Sequence, residues 1–170
     1  MKDKTGTKLK CNMPEIHLLG EIVVAFGNLE LFLEVVIWQL LGVEEQNRNI
    51  MAQIITSEMS FDRKVHAFVN MFKENEPDQA EDDLKALTKD LFAVQAERNA
   101  LLHSAWNYSE KFGGLYRMKA SAKASKGMNR RIYPMPVQRL EGVRGRIQAV
   151  GETLARFAMA HIQKKANESE

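Results

Sequence analysis

The stretch LKALTKDLFAVQAERNALLHSAW, Leu84 to Trp106, decides how the chain is read. Leu84, Leu87, Leu91, Val94, position 98 and Leu101 alternate spacings of three and four, the rhythm of a helix with one buried face. The pattern predicts a helix from about Asp78 to Trp106 and asks for hydrocarbon at position 98, where the chain has Arg98. A guanidinium keeps its charge, so on a core-facing seam it needs a partner, an opening to water or a chemical task. On the neighbouring stripe stand Asn99 and His103, four residues apart and therefore on one helical face. An Arg, an Asn and a His where the pattern wants apolar residues mark a candidate site.

Outward from that helix the same rhythm recurs. Pro14 suits a first helical turn, where its missing amide hydrogen costs nothing. Leu19, Ile22, Phe26, Leu29, Leu33, Val36 and Leu40 carry the helix to Gly42, a C-terminal stop. Val24, Leu31, Val35 and Trp38 add a second apolar stripe, which predicts a first helix covered on two sides, by the bundle or by a partner chain. Glu30 and Glu34, one turn apart, are placed to orient a buried Arg or His; solvent-facing carboxylates are the alternative. Residues 44–57 predict a shorter helix with Ile50, Met51, Ile54 and Ile55 inward. Ser60 is the N-cap expected for a helix carrying Phe61, Val65, Phe68, Val69 and Phe72, with Lys64 and a structural or exposed His66 on it. Glu74 to Asp83 hold Pro77 and six acidic residues, a solvated turn and a helix start that suits the helix dipole. Residues 137–165 predict the last helix through Leu140, Val143, Ile147, Val150, Leu154 and Phe157, with His161 next on that seam as a core or interface histidine.

Between the last two helices, Gly113-Gly114 breaks the pattern, and Leu115–Ala120 can pair with Arg130–Met135 around Ser125-Lys126-Gly127. Pro134 and Pro136 confine the second of these strands to a sheet edge. Arg117, Lys119, Lys123, Lys126, Arg130 and Arg131 fall in this region without an acidic residue, and Tyr116 and Tyr133 are interleaved. They are candidate RNA-binding residues, cations for phosphate and aromatics for bases; an ordinary solvated hairpin is the alternative. The whole chain has 24 Lys and Arg against 22 Asp and Glu, but residues 111–170 hold 13 against 4 and residues 1–110 hold 11 against 18. A basic half beside an acidic half permits an anionic partner. Residues 1–12 read as a flexible basic tail, 13–166 as one helical domain and 167–170 as a polar tail. Met1 to Lys10 lacks the apolar stretch of a secretory signal, and the first helix, interrupted by His17, Glu21, Asn28, Glu30 and Glu34, is too polar to span a membrane. A cytoplasmic protein is expected. The single cysteine, Cys11, rules out an intramolecular disulfide. No glycine-rich phosphate loop, nucleophile elbow or metal-ligand spacing is present, so neither cofactor nor metal is expected.

The order Arg98-Asn99, three residues, His103, late in a bundle helix and followed by Ser104, Ala105 and Trp106, resembles the signature of the HEPN family. The resemblance extends loosely over residues 14–165. It implies an all-α fold, a bundle of about five helices with a small β-hairpin or basic loop before the last. Many members are metal-independent ribonucleases of toxin and antiviral defence systems, with the cleft at a homodimer interface. By resemblance Arg98, Asn99 and His103 are the catalytic residues, and Glu30, Glu34, Trp106 and Tyr108 support them. RNA would be the substrate, and an antitoxin or regulatory protein a further partner. In members silenced by a nucleotidylyltransferase a tyrosine stands two positions after the histidine; here that position is Ala105, with Tyr108 out of register, so such silencing is not expected. Ser104 stands where many members have glycine. Other members keep the fold as modules that bind RNA, nucleotide or a partner protein without cleavage, and that is the alternative reading.

The chemistry suits the residues. RNA carries its own nucleophile, the 2′-hydroxyl, so cleavage needs proton transfer, for which histidine is fitted, and positive charge on the phosphorane, for which arginine is. Five positions apart, Arg98 and His103 diverge by about 140° on an ideal helix. Either the helix distorts near its end or two chains pool their motifs across a two-fold axis.

Overall fold

The apolar rhythms of three and four become five helices, and the basic region becomes a sheet. The computed structural model describes residues 13–41, 46–75, 81–123 and 127–168. In chain order these form α1 (Pro14–Leu40), α2 (Gln46–Ser57), α3 (Phe61–Asn75), α4 (Glu81–Leu102), β1 (Ala105–Ser109), a 3-10 turn (Glu110–Phe112), β2 (Gly114–Lys123), β3 (Gly127–Pro134) and α5 (Val137–Glu168). The strands make one antiparallel sheet in the order β1-β2-β3. The chain divides into two compact units, one from Met1–Val24 and Ala96–Gly145, the other from Ala25–Gln95 and Arg146–Glu170. Gly42 and the tail 1–12 lie outside the described residues. The helix of α5 runs to Glu168, past the start of the polar tail expected at 167.

In the first unit, Leu18, Ile22, Leu101, Leu115, Met135, Leu140 and Val143 are buried. The expected hairpin forms, with Arg117 opposite Tyr133 and Lys119 opposite Arg131. Gly113 and Gly114 have φ of 74° and 116°, left-handed values that end the 3-10 turn and admit the chain to β2. Pro134 closes β3, which lies at the sheet edge as a missing amide donor requires. One expectation fails here. The motif helix stops at Leu102, and Ala105 and Trp106, read as helical, begin a third strand paired with β2. The aromatic alternation Trp106-Asn107-Tyr108 fits a pleated strand better than a helix. Across this unit Arg144 of α5 donates to the Glu21 carboxylate of α1.

The second unit is built on apolar packing. Phe68 lies 5.6 Å from Phe72 and Phe72 lies 5.3 Å from Phe157, ring centre to ring centre. Such tilted pairs add about 0.5–1.5 kcal/mol each beyond their buried area. Ser60 caps α3, its Oγ accepting a long 3.5 Å bond from the Arg63 amide. Two apolar stripes turn out differently from expectation. On α2 it is Ala52 and Thr56 that are buried, while Ile50, Ile54 and Ile55 are each more than half exposed; the Met51 side chain lies outside the described residues. The Trp38 indole N–H requires an acceptor, and Thr56 Oγ1 supplies it at 3.0 Å, which turns the Ala52–Thr56 stripe inward and the isoleucines out. Likewise the second stripe of α1 is not covered by the described residues: Val24 and Leu31 are exposed, with Val35 and Trp38 half-buried.

Glu30 and Glu34 do grip a buried cation, but it is Lys64 of α3 rather than an Arg or His. Its Nζ lies 2.6 Å from a carboxylate oxygen of each, and its side chain is 5% exposed. Burial disfavours the Lys64 ammonium, yet the hydrogen bonds and charges of the two glutamates outweigh it and hold its pKa above the ordinary lysine value. Removing the ammonium leaves two neighbouring carboxylates without their cation. Lys64→Met is therefore expected to lower stability by about 3–5 kcal/mol in denaturant melts at neutral pH. A lysine whose folded pKa is raised stabilises fully below its unfolded value of about 10.4, and loses that contribution as pH rises through the folded value. The difference between wild type and Lys64→Met should accordingly shrink only in strongly alkaline buffer.

Candidate functional site

The last turn of α4 holds the motif. Leu84, Leu87, Leu91, Val94 and Leu101 are buried as the seam requires, and Arg98 between them is half-buried. Arg98 donates from a terminal guanidinium nitrogen to Asn99 Oδ1 at 3.0 Å. The His103 amide donates to the Asn99 carbonyl at 3.0 Å, so the backbone keeps its helical hydrogen bonding through the histidine. Asn99 and His103 thus share a face, and the His103 side chain is exposed. Arg98 and Asn99 are brought together; His103 follows one residue past the end of α4, and on an ideal helix it would lie about 140° round from Arg98.

A helix end leaves carbonyls without donors, and here side chains supply them. Ser104 Oγ donates to the Ala100 carbonyl at 2.6 Å, and Arg117 of β2 donates to the same oxygen at 3.1 Å. Arg117 also donates to Ser104 Oγ at 3.3 Å. Trp106 Nε1 donates to the Leu101 carbonyl at 2.9 Å. The Arg117 guanidinium lies 4.4 Å above the Tyr133 ring, and Trp106, Arg117 and Tyr133 are register partners across the three strands. Arg117 and Trp106 therefore fix the end of α4 to the sheet, a role the sequence reading did not assign to either. Its signal was the Ser104–Trp106 run immediately after a helix end.

The other expected residues fall as follows. Lys119, Arg130 and Arg131 are exposed on the sheet, in the same compact unit as the motif. The Lys123 side chain and Lys126 lie outside the described residues, as does the His161 side chain. Tyr108 is half-buried on β1, opposite Leu115. Glu30 and Glu34 are committed to Lys64. His66 is exposed, 3.9 Å from Asp62 and in a tilted ring contact at 5.4 Å with Phe92, and belongs to the second unit. Grooves of the second unit are lined by other groups, such as Asn28, Phe32 and Gln148 in one and Asp83, Asp90 and Arg156 in another. Among the described residues no group of three or more His, Cys, Asp or Glu could hold a metal ion, and no helix is long and apolar enough to cross a membrane.

Comparison with models of known families, with curated proteins and with solved structures finds no match for this chain.

The clamp on α4 generates a test. Arg117→Ala is expected to cost about 1.5–3 kcal/mol of stability, the range for hydrogen bonds made by a charged group. Amide exchange at His103 should speed up in the same variant, read by NMR. Arg117→Lys should restore little of either, since an ammonium cannot stack a planar fork on Tyr133 while bonding the carbonyl.

Proposed function

We propose that the chain is a metal-independent endoribonuclease of the HEPN type, acting as a homodimer in a toxin or defence setting. One observation carries the reading. The end of α4 offers an exposed His103 one turn beyond Asn99, itself hydrogen-bonded to Arg98, and a sheet with exposed Lys119, Arg130 and Arg131 begins two residues later. In this reading an imidazole takes the proton of the ribose 2′-hydroxyl, whose oxygen attacks phosphorus. The bond to the 5′-oxygen breaks, and that oxygen leaves with a proton from a second acid. The products are a 2′,3′-cyclic phosphate and a 5′-hydroxyl. Arg98 stabilises the phosphorane charge, and Asn99 holds the guanidinium.

The His103 amide keeps its helical bond to Asn99 one residue past the end of α4, so in this reading the pair is not drawn together by distortion of that helix. The catalytic reading thus requires two motif copies facing each other across a two-fold axis. The same geometry favours the second reading, a module that binds RNA, nucleotide or a protein without cleaving, should the chain be monomeric.

Cleavage of a mixed RNA pool in EDTA separates the two. The wild type should cleave, eluting as a dimer in light scattering. His103→Ala should lower the rate by about 10²–10⁴-fold and Arg98→Ala by about 10²–10³-fold with fold and dimer intact. Equal cleavage by both variants would assign the activity elsewhere, and a monomeric, inactive wild type would leave the binding module.

A further inference from the structure

The two faces of the sheet are not alike. One face bears Leu115, which is buried, together with half-buried Trp106, Tyr108, Arg117 and Tyr133. On the opposite face, register places Asn107, Tyr116 and Pro134 in one row, Ala105, Met118 and Ile132 in the next, and Ala120 with Arg130 in a third. Side chains of register partners share a face, and successive rows lie about 7 Å apart. No residue of these three rows is buried, and Ile132 is 41% exposed. Tyr116 is braced by Phe112, whose ring stands edge-on at 5.0 Å, and the Lys111 ammonium lies 6.0 Å from the Phe112 ring centre.

We infer that this outer face is a platform for single-stranded RNA, with a base stacked on Tyr116 and the phosphate chain drawn toward Arg130. The inference rests on the RNA reading of the α4 site and deepens it. Charge complementarity selects the occupant. Register places the exposed Arg130 on this face and Lys119 with Arg131 on the other, and residues 111–140 together contain eight Lys or Arg and no Asp or Glu, so the hairpin fits a polyanion and repels an acidic protein. An aromatic ring half open to solvent offers a surface to an unpaired base but none to a paired one. The inward Tyr133 is taken by Arg117, whereas Tyr116 has one ring edge-on beside it and, among the described residues, no cation stacked on it. Ala105, the first residue of the middle row, follows His103 by two positions, so a strand on this face runs beside the end of α4.

The test uses the full chain and a fluorescent oligouridylate with 2′-O-methyl riboses, which 2′-hydroxyl attack cannot cleave. Binding is thereby read whether or not the chain is a ribonuclease. Wild type should bind this strand more tightly than a blunt RNA duplex of equal length. Tyr116→Ala should weaken binding about 5- to 150-fold, the range for losing one stacked base, and Tyr116→Phe should keep it. Arg130→Ala should lower the salt slope by about 0.7, one phosphate contact on a single strand. Ile132→Asp, on the exposed row, should weaken binding without changing the oligomeric state, and serves where Tyr116→Ala loses its fold by circular dichroism. Equal affinity for duplex and single strand, or unchanged binding by a folded Tyr116→Ala, would overturn the proposal. Conversion of a dimer to a monomer by Ile132→Asp would also overturn it, since a second copy would then own the face.

Discussion

An α-helix cannot end inside a folded protein without donors for its last carbonyls, and at α4 the sheet meets that demand. The Ala100 oxygen receives Arg117 and Ser104, and the Leu101 oxygen receives Trp106. These bonds tie the helix end to β1 and β2 at once. A buried carbonyl left unsatisfied costs about 1–3 kcal/mol, so two such groups amount to a large part of a marginal stability. The sheet is therefore held to the motif's helix end by polar satisfaction as well as by apolar burial at Leu101, Leu115 and Met135. Arg117 is the residue common to the helix end and to the aromatic row. Stacked on Tyr133 and bonded to the helix, it serves the architecture, and Lys119, Arg130 and Arg131 are left as the exposed cations of the described sheet.

Two cations occupy positions where the helical rhythm asks for hydrocarbon, and they resolve differently. Lys64 falls between Phe61, Val65 and Phe68 on the seam of α3 and is enclosed by Glu30 and Glu34. That trio carries one net negative charge with its lysine protonated, and its geometry leaves little of the ammonium for a ligand. Arg98 breaks the seam of α4 in the same manner but sits half-buried at a helix end, beside an amide side chain and one turn from an exposed histidine. A broken pattern locates a constraint. The surroundings decide its kind: in one case an enclosed ion pair, in the other a half-buried polar cluster at a helix end.

Much of the architecture was legible because it follows from apolar periodicity alone. The seams of α1, α3, α4 and α5 are buried at most of the expected leucines, valines and phenylalanines, with Leu19, Val69 and Phe157 half-buried, and the hairpin with its proline-limited edge is present. What escaped was set by single polar side chains whose partners lie far along the chain. The Trp38–Thr56 bond spans 18 positions and inverts α2, exposing three isoleucines that a periodicity argument sends inward. The Lys64–Glu30 bond spans 34 positions. At the site, the order of Arg98, Asn99 and His103 on the helix was legible, since local geometry fixes it. The early end of α4 was not, because Leu101 and Leu102 continue an apolar pattern that Trp106 and Tyr108 then take up as a strand.

The helical bond from His103 to Asn99 constrains any mechanism at this site. Rotation of about 100° per residue sends the histidine and Arg98 apart on an ideal helix, and the His103 amide keeps its helical bond one residue past the end of α4. Convergence must come from outside the helix, through a second motif copy or through a ligand long enough to touch both groups. An extended nucleic acid strand is such a ligand. Each of its phosphates can meet a different cation, and the sheet that begins two residues after His103 carries exposed Lys119, Arg130 and Arg131 and a half-exposed Tyr116. Under the proposed reading, dimerisation would assemble the reacting groups and a bound strand would bring the phosphate between them.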